Sequence, residues 1–235
     1  WSPDSRRLVY TSDRDGVSHL FSYDFVTRSE TRLTNGAADD DTPKFSPDGT
    51  QLAFQRKGRE LRVLDVAPLK DRLLATGYLR FPTSQSGEVV WSPDGRWLAY
   101  TAYGAKTFRN VSVVPVTGGG GKPVSFLGNT FGGNLNWSPD GTYLLFNTTQ
   151  RTEDVQLARV DLLPRTPKFR EDRFRDLFQE EVPKTLTPGT PTPVSAKGKP
   201  KTPIPTDSVA AAKSAKKKPV TITFEGIAQR LSLLP

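Results

Sequence analysis

The chain has 235 residues, with 33 lysines and arginines against 25 aspartates and glutamates, a formal net charge of +8. It has no cysteine and one histidine, His19, which excludes disulfides, thiolate zinc sites, a cysteine nucleophile and any chemistry that needs two histidines of this chain. No run approaches the roughly 18 apolar residues of a membrane span, and only a short strand-like run follows Arg6 and Arg7, so these opening residues are not expected to be a signal peptide.

Trp1-Ser2-Pro3-Asp4-Ser5 opens the sequence and returns as Phe45-Ser46-Pro47-Asp48-Gly49, Trp91-Ser92-Pro93-Asp94-Gly95 and Trp137-Ser138-Pro139-Asp140-Gly141, with starts 44, 46 and 46 residues apart. Ser-Pro-Asp-Gly is a type I turn signature, because proline presets φ at the second position and glycine suits the fourth. Behind each turn stands a strand-forming triplet: Leu8-Val9-Tyr10, Leu52-Ala53-Phe54, Leu98-Ala99-Tyr100 and Leu144-Leu145-Phe146. The alternation puts each Leu and its aromatic on one side. A second strand follows a polar loop, over 20–25, 61–66, 111–116 and 155–162. A shorter one is expected over 31–34, 73–78 and 123–127.

Each unit thus holds about four antiparallel strands in roughly 45 residues, the size of a β-propeller blade. The fold class expected is all-β: a partial propeller over residues 1–162 with about three and a half blades. The recurring tryptophans and turn aspartates are expected to stabilise blades, since a binding site uses residues that differ from blade to blade. There is no methionine, even at position 1. With the broken first blade, this is expected of a chain cut at both ends, with further blades before Trp1.

Beyond Leu162 the period ends. Residues 163–183 read as a loop and an amphipathic helix over 169–181, in which Phe174, Leu177 and Phe178 share a face and Glu171 can pair with Arg175. Thr185-Leu186-Thr187 echoes Arg32-Leu33-Thr34 and could supply a fourth strand to the last blade. Residues 184–219 are rich in lysine and proline and read as a disordered linker. Residues 220–235 restart a β pattern at Val220-Thr221-Ile222-Thr223-Phe224, expected to be the first strand of a following domain.

The charge sorts the same way. Residues 1–162 hold 19 basic and 18 acidic side chains, whereas 184–219 hold 8 and 1. The net +8 therefore describes the linker and not a nucleic-acid-binding face. No aromatic lies between Val182 and Phe224 to stack on a base.

The pattern W-S-P-D-G-x-x-L-A-Y, with Arg32-Leu33-Thr34, resembles the TolB-like propeller repeat and lacks the Trp-Asp dipeptide of the other common propeller class. The segment I-x-F-E-G-I-x-x-R-L-x-x-L-P from Ile222, and F-R-E-D-x-F-x-x-L-F from Phe169, are similar to tricorn-like serine proteases at the exit from their first propeller. This resemblance implies a non-catalytic propeller region that gates or binds peptide, with peptide or protein substrate, further domains of the parent and other copies of the chain as partners. A stand-alone TolB-like scaffold stays open, as does the propeller of a prolyl-oligopeptidase-type hydrolase or an amidohydrolase fusion. A cytosolic setting and an exported one also stay open.

No catalytic, cofactor-binding or metal-ligating residue is assigned. There is no G-x-S-x-G elbow, and His19 reads as a structural histidine in a strand. Gly118 to Gly121 precedes Lys122-Pro123 and another strand, so it reads as a hairpin and not a phosphate loop. Asp39-Asp40-Asp41 lacks the alternate spacing of a calcium loop and reads as a solvated turn. Asn110, Asn136 and Asn147 head glycosylation sequons to which no function is attached.

Overall fold

The computed structural model describes residues 1–80, 87–150, 154–164 and 218–234. The strands are β1 (Arg7–Ser12), β2 (His19–Asp24), β3 (Ser29–Arg32), β4 (Asp40–Phe45), β5 (Gln51–Arg56), β6 (Glu60–Asp65), β7 (Lys70–Thr76), β8 (Val89–Trp91), β9 (Trp97–Tyr103), β10 (Arg109–Pro115), β11 (Lys122–Pro123), β12 (Asn129–Trp137), β13 (Tyr143–Gln150), β14 (Gln156–Asp161) and β15 (Leu231–Leu234). They form four antiparallel sheets, ordered β1-β2-β3, β4-β5-β6-β7, β8-β9-β10-β11 and β12-β13-β14-β15. These are the blades expected from the repeat. The first has three strands.

The period-2 pattern explains how they stack. Leu52, Phe54 and Leu64 of the second sheet pack with Leu20 and Leu33 of the first. Ala53, Leu61 and Val63 face the other way, against Leu98, Tyr100 and Val114 of the third. Ala99, Val111 and Val113 then meet Leu144, Phe146 and Val160 of the fourth. In the second to fourth sheets the Leu-x-aromatic pair thus faces the preceding blade, and in the first three the residue between them faces the next. With both faces covered, residues 52–55 and 98–101 are buried without interruption.

The fourth sheet differs from expectation. Leu231–Leu234, expected to lie within the first strand region of a following domain, pairs with β14 through Val160↔Leu231 to Leu157↔Leu234. It is the outermost strand of the fourth blade. The β-branched run Val220 to Phe224 is not a strand. Its backbone donors are taken singly: Val220 N–H by the Asp94 carboxylate at 2.7 Å and Thr223 N–H by the Leu162 carbonyl at 2.9 Å. The edge of β14 offers a continuous row of partners, and the later segment fills it. The expected helix over 169–181, residues 185–187 and the expected linker up to residue 217 lie outside the described residues.

Candidate functional site

The four repeated turns share one geometry. In each, the fourth residue donates its N–H to the carbonyl of the serine, at 2.9 Å for Ser5, Gly49, Gly95 and Gly141. That residue has positive φ in all four, from 58° at Ser5 to 72° at Gly49. Ser2, Ser46, Ser92 and Ser138 are buried. Their hydroxyls accept the N–H of Arg7, Gln51, Trp97 and Tyr143 at 2.8–3.0 Å. In the first three turns the same hydroxyl donates to the aspartate at 2.5–2.6 Å.

Hydrogen bonds from the turn hold all four carboxyls below the usual aspartate range. The hydroxyls of Ser2 and Ser138 are the main cause at Asp4 and Asp140. At Asp48 and Asp94, burial alone would raise the value but is outweighed by hydrogen bonds from Ser46 and Ser92 and from backbone N–H groups. A depressed folded pKa stabilises the native state fully above the unfolded value, about 3.9, and that contribution is lost as pH falls through the folded values. Asp94→Asn should therefore lower the denaturation midpoint at neutral pH and cost progressively less as pH falls through the folded pKa and the wild-type carboxyl takes up its proton. A loss that stays constant from neutral to acidic pH in urea titrations would contradict this role.

The tryptophan before each of the last two turns stitches one blade to the preceding one. Trp91 Nε1 donates to the Lys44 carbonyl at 2.9 Å, and Trp137 Nε1 donates to the Val90 carbonyl at 3.2 Å. Both acceptors lie on the first strand of the preceding sheet. The expectation that these tryptophans are structural accounts for their N–H groups, though both rings stay partly exposed.

The exposed parts of those rings border a trough. It is lined by Lys44 and Phe45 of β4, Val89 to Trp91 of β8, Asn136 and Trp137 of β12, and the prolines of their turns, and encloses about 570 Å³. A neighbouring hollow of about 320 Å³ continues it past Thr42, Glu88 and Asn134. Because β4, β8 and β12 are edge strands, this wall sets strand edges beside aromatic and amide side chains. Such a wall suits an extended peptide, whose main chain can pair with a strand edge while its side chains meet the rings.

Glu88 shapes the wall. Its carboxylate accepts the N–H groups of Asn134 and Leu135, both at 2.7 Å, and so holds the bulge between Gly133 and Asn136 in β12. Asn134 sits at φ 55° and Thr42, in the matching bulge of β4, at φ 51°. Thr42, Glu88 and Asn134 each stand three residues before a turn aromatic. The column is visible when the repeats are aligned, although no charged motif marks it.

No family model matches the chain. An uncharacterized protein of Agrobacterium fabrum is 32% identical over 157 residues, 60% of this chain and 50% of that protein. The Tol-Pal system protein TolB of Francisella tularensis is 37% identical over 54 residues, 23% of this chain and 12% of that protein. The chain spans at most half the length of these relatives. Among solved structures, TolB from Acinetobacter baumannii superposes with a TM-score of 0.52 at 20% identity, over 68% of this chain and 39% of that chain. An oligogalacturonate lyase in complex with manganese gives 0.53 at 20% identity, over 68% and 48%. The tricorn protease gives 0.58 at 11% identity, over 97% and 20%. The fold is that of a TolB-like propeller.

Other residues marked in the sequence take structural places in this TolB-like fold. His19 begins β2, is buried and pairs with Ser12; its Nδ1 has no hydrogen-bond partner among the described residues. Gly118 to Gly120 have positive φ and lead into β11, the hairpin expected. The aspartate triplet is not a solvated turn. Asp40 is fully buried against Arg56, Asp41 pairs with Arg80 at 2.8 Å, and Asp39 accepts the Ser18 N–H at 2.9 Å. Three carboxylates that point to three partners do not converge on a cation. Among the described residues no group of three His, Cys, Asp or Glu could hold a metal, and no helix is long and apolar enough to cross a membrane.

Proposed function

We propose that this chain is the non-catalytic propeller region of a tricorn-like serine protease and that its trough is a platform for extended peptide. The reach of the likeness carries this reading: the tricorn superposition takes in 97% of the chain, whereas those of TolB and the lyase take in 68%. In this reading residues 1–162 and 218–234 make up the propeller part. Residues 163–183 and 184–217 are inserted between the third and fourth strands of its last blade. Peptide chains are the partners, held through main-chain pairing along β4, β8 and β12 and through contact with Trp91 and Trp137.

The test is a titration of the chain with short unstructured peptides, followed by tryptophan emission and by mass analysis of the peptides. Micromolar binding that shifts the emission, with the peptides recovered intact, is expected. Absence of binding at millimolar peptide overturns the platform. Peptidase activity that co-purifies with the chain through successive columns overturns the non-catalytic role.

The likeness to Francisella TolB over 54 residues favours a second reading, a protein-binding TolB-like scaffold without a protease. A folded protein partner bound in preference to any unstructured peptide would distinguish it. So would the reading frame past Pro235: a protease domain there supports the first reading, and a stop codon the second.

A further inference from the structure

In the first three sheets the third and fourth strands are joined by short turns, with four residues between Asp24 and Ser29, four between Asp65 and Lys70, and six between Pro115 and Lys122. In the fourth sheet, 69 residues separate Asp161 from Leu231. A short turn delivers a strand to its neighbour by geometry alone. A connection of 69 residues does not place the strand by turn geometry, and the entropy of closing a loop grows with its length. The returning segment must therefore be held by its own contacts.

Those contacts are extensive. Val220 is buried, donates its N–H to Asp94 at 2.7 Å and rests its side chain on Gly141, so that it bridges the turns of the third and fourth blades. Phe224 lies 6.2 Å from the Trp97 ring, and the Lys122 ammonium stands 4.6 Å over the Phe224 ring. Ile227 is buried in the core between the third and fourth sheets. The Arg230 guanidinium donates to the carbonyls of Leu162, Thr223 and Glu225. Leu231–Leu234 then completes the sheet. Apolar anchors, a charge-assisted hydrogen bond and strand addition together make up a complete peptide-recognition mode.

We propose that residues 218–234 are a docking segment in their own right. The ledge formed by the turns of the third and fourth blades and the edge of β14 binds this sequence when it is delivered in trans, by a second copy of the chain, as well as in cis. The ledge uses Asp94 and Gly141 of turns whose prolines border the trough, but its contacts involve none of the trough's strand residues, so the proposal does not depend on the function proposed above.

The test uses the full chain and a labelled synthetic peptide of residues 218–234. In the wild type the tethered segment competes with the peptide at an effective concentration of about millimolar. Val220→Asp and Ile227→Asp, made in the chain, release that competitor. Peptide binding measured by fluorescence anisotropy should be at least about tenfold tighter to each released variant than to the wild type. A peptide that itself carries Ile227→Asp should not bind. Should the Ile227→Asp chain fail to fold, Val220→Asp, seven residues earlier in the same segment, gives the same comparison. Failure of the wild-type peptide to bind a folded released variant overturns the proposal. Equal binding to released and wild-type chains, or equal binding of wild-type and Ile227→Asp peptides, overturns it as well.

Discussion

Replacing Arg56 by alanine is expected to lower the unfolding free energy by about 3–5 kcal/mol, because it leaves a buried carboxylate without its counter-charge. Asp40 is fully buried, and Arg56 stands directly opposite it in the ladder of β4 and β5. The guanidinium grips both carboxylate oxygens, at 2.7 and 2.9 Å, which holds the Arg56 pKa above its ordinary value. Asp40→Ala should cost less. It leaves Arg56 still paired with Asp71 at 3.2 Å, in a chain that runs on to Arg62 and Glu60. The order Arg56→Ala worse than Asp40→Ala, with the double variant milder than the sum, is the expected result of a double-mutant cycle in urea. Additive losses would mean that the pair is not coupled. The exposed pair Arg14–Glu30, with side chains 46% and 36% accessible, should show little effect in the same assay.

This pair also shows where sequence reading stops. The repeat revealed the blades because blade stacking uses the same residues each time: the serine and aspartate of the turn, the aromatic before it and the Leu-x-aromatic behind it. Period 2 and period 46 are both visible in one sequence. Asp40 and Arg56 have no counterparts, since alanine and threonine stand at 102 and 148 where the repeat would place Arg56 again. A feature present in one blade cannot emerge from periodicity, and the aspartate triplet taken alone suggested solvent. The trough was half legible. Its aromatics were found as repeat residues, but their partly exposed faces depend on how β4, β8 and β12 are set beside one another. The fourth strand of the last blade was hidden by competition. Val220 to Phe224 has the stronger β propensity, yet pairing goes to Leu231–Leu234, because tertiary context decides which of two candidates meets an open edge.

Gly141→Ala is expected to cost about 2–4 kcal/mol, and Gly95→Ala only about 1, although the two glycines occupy the same turn position. Both have φ +70°, so an added methyl group meets the same left-handed strain at each, of about 1–2 kcal/mol at most. Ser5 bears that strain in the first turn at φ 58°. The difference lies above the turn. At Gly95 the nearest atom to a new methyl would be Pro47 Cδ at 3.6 Å, an ordinary contact. At Gly141 the methyl would fall inside the surface of Val220 Cγ2. The turn backbone is fixed by its serine and cannot retreat, so Val220 must move. Its N–H then leaves Asp94, and the overpacking adds about 1–3 kcal/mol. Thermal or urea unfolding of the two variants measures this gap directly. Val220→Ala in the Gly141→Ala background should recover most of it, since a smaller side chain makes room for the methyl, whereas in the Gly95→Ala background it should recover nothing. Equal costs for the two glycine variants would show that the segment over the fourth turn yields without loss, and the close approach of Val220 would then carry no stability.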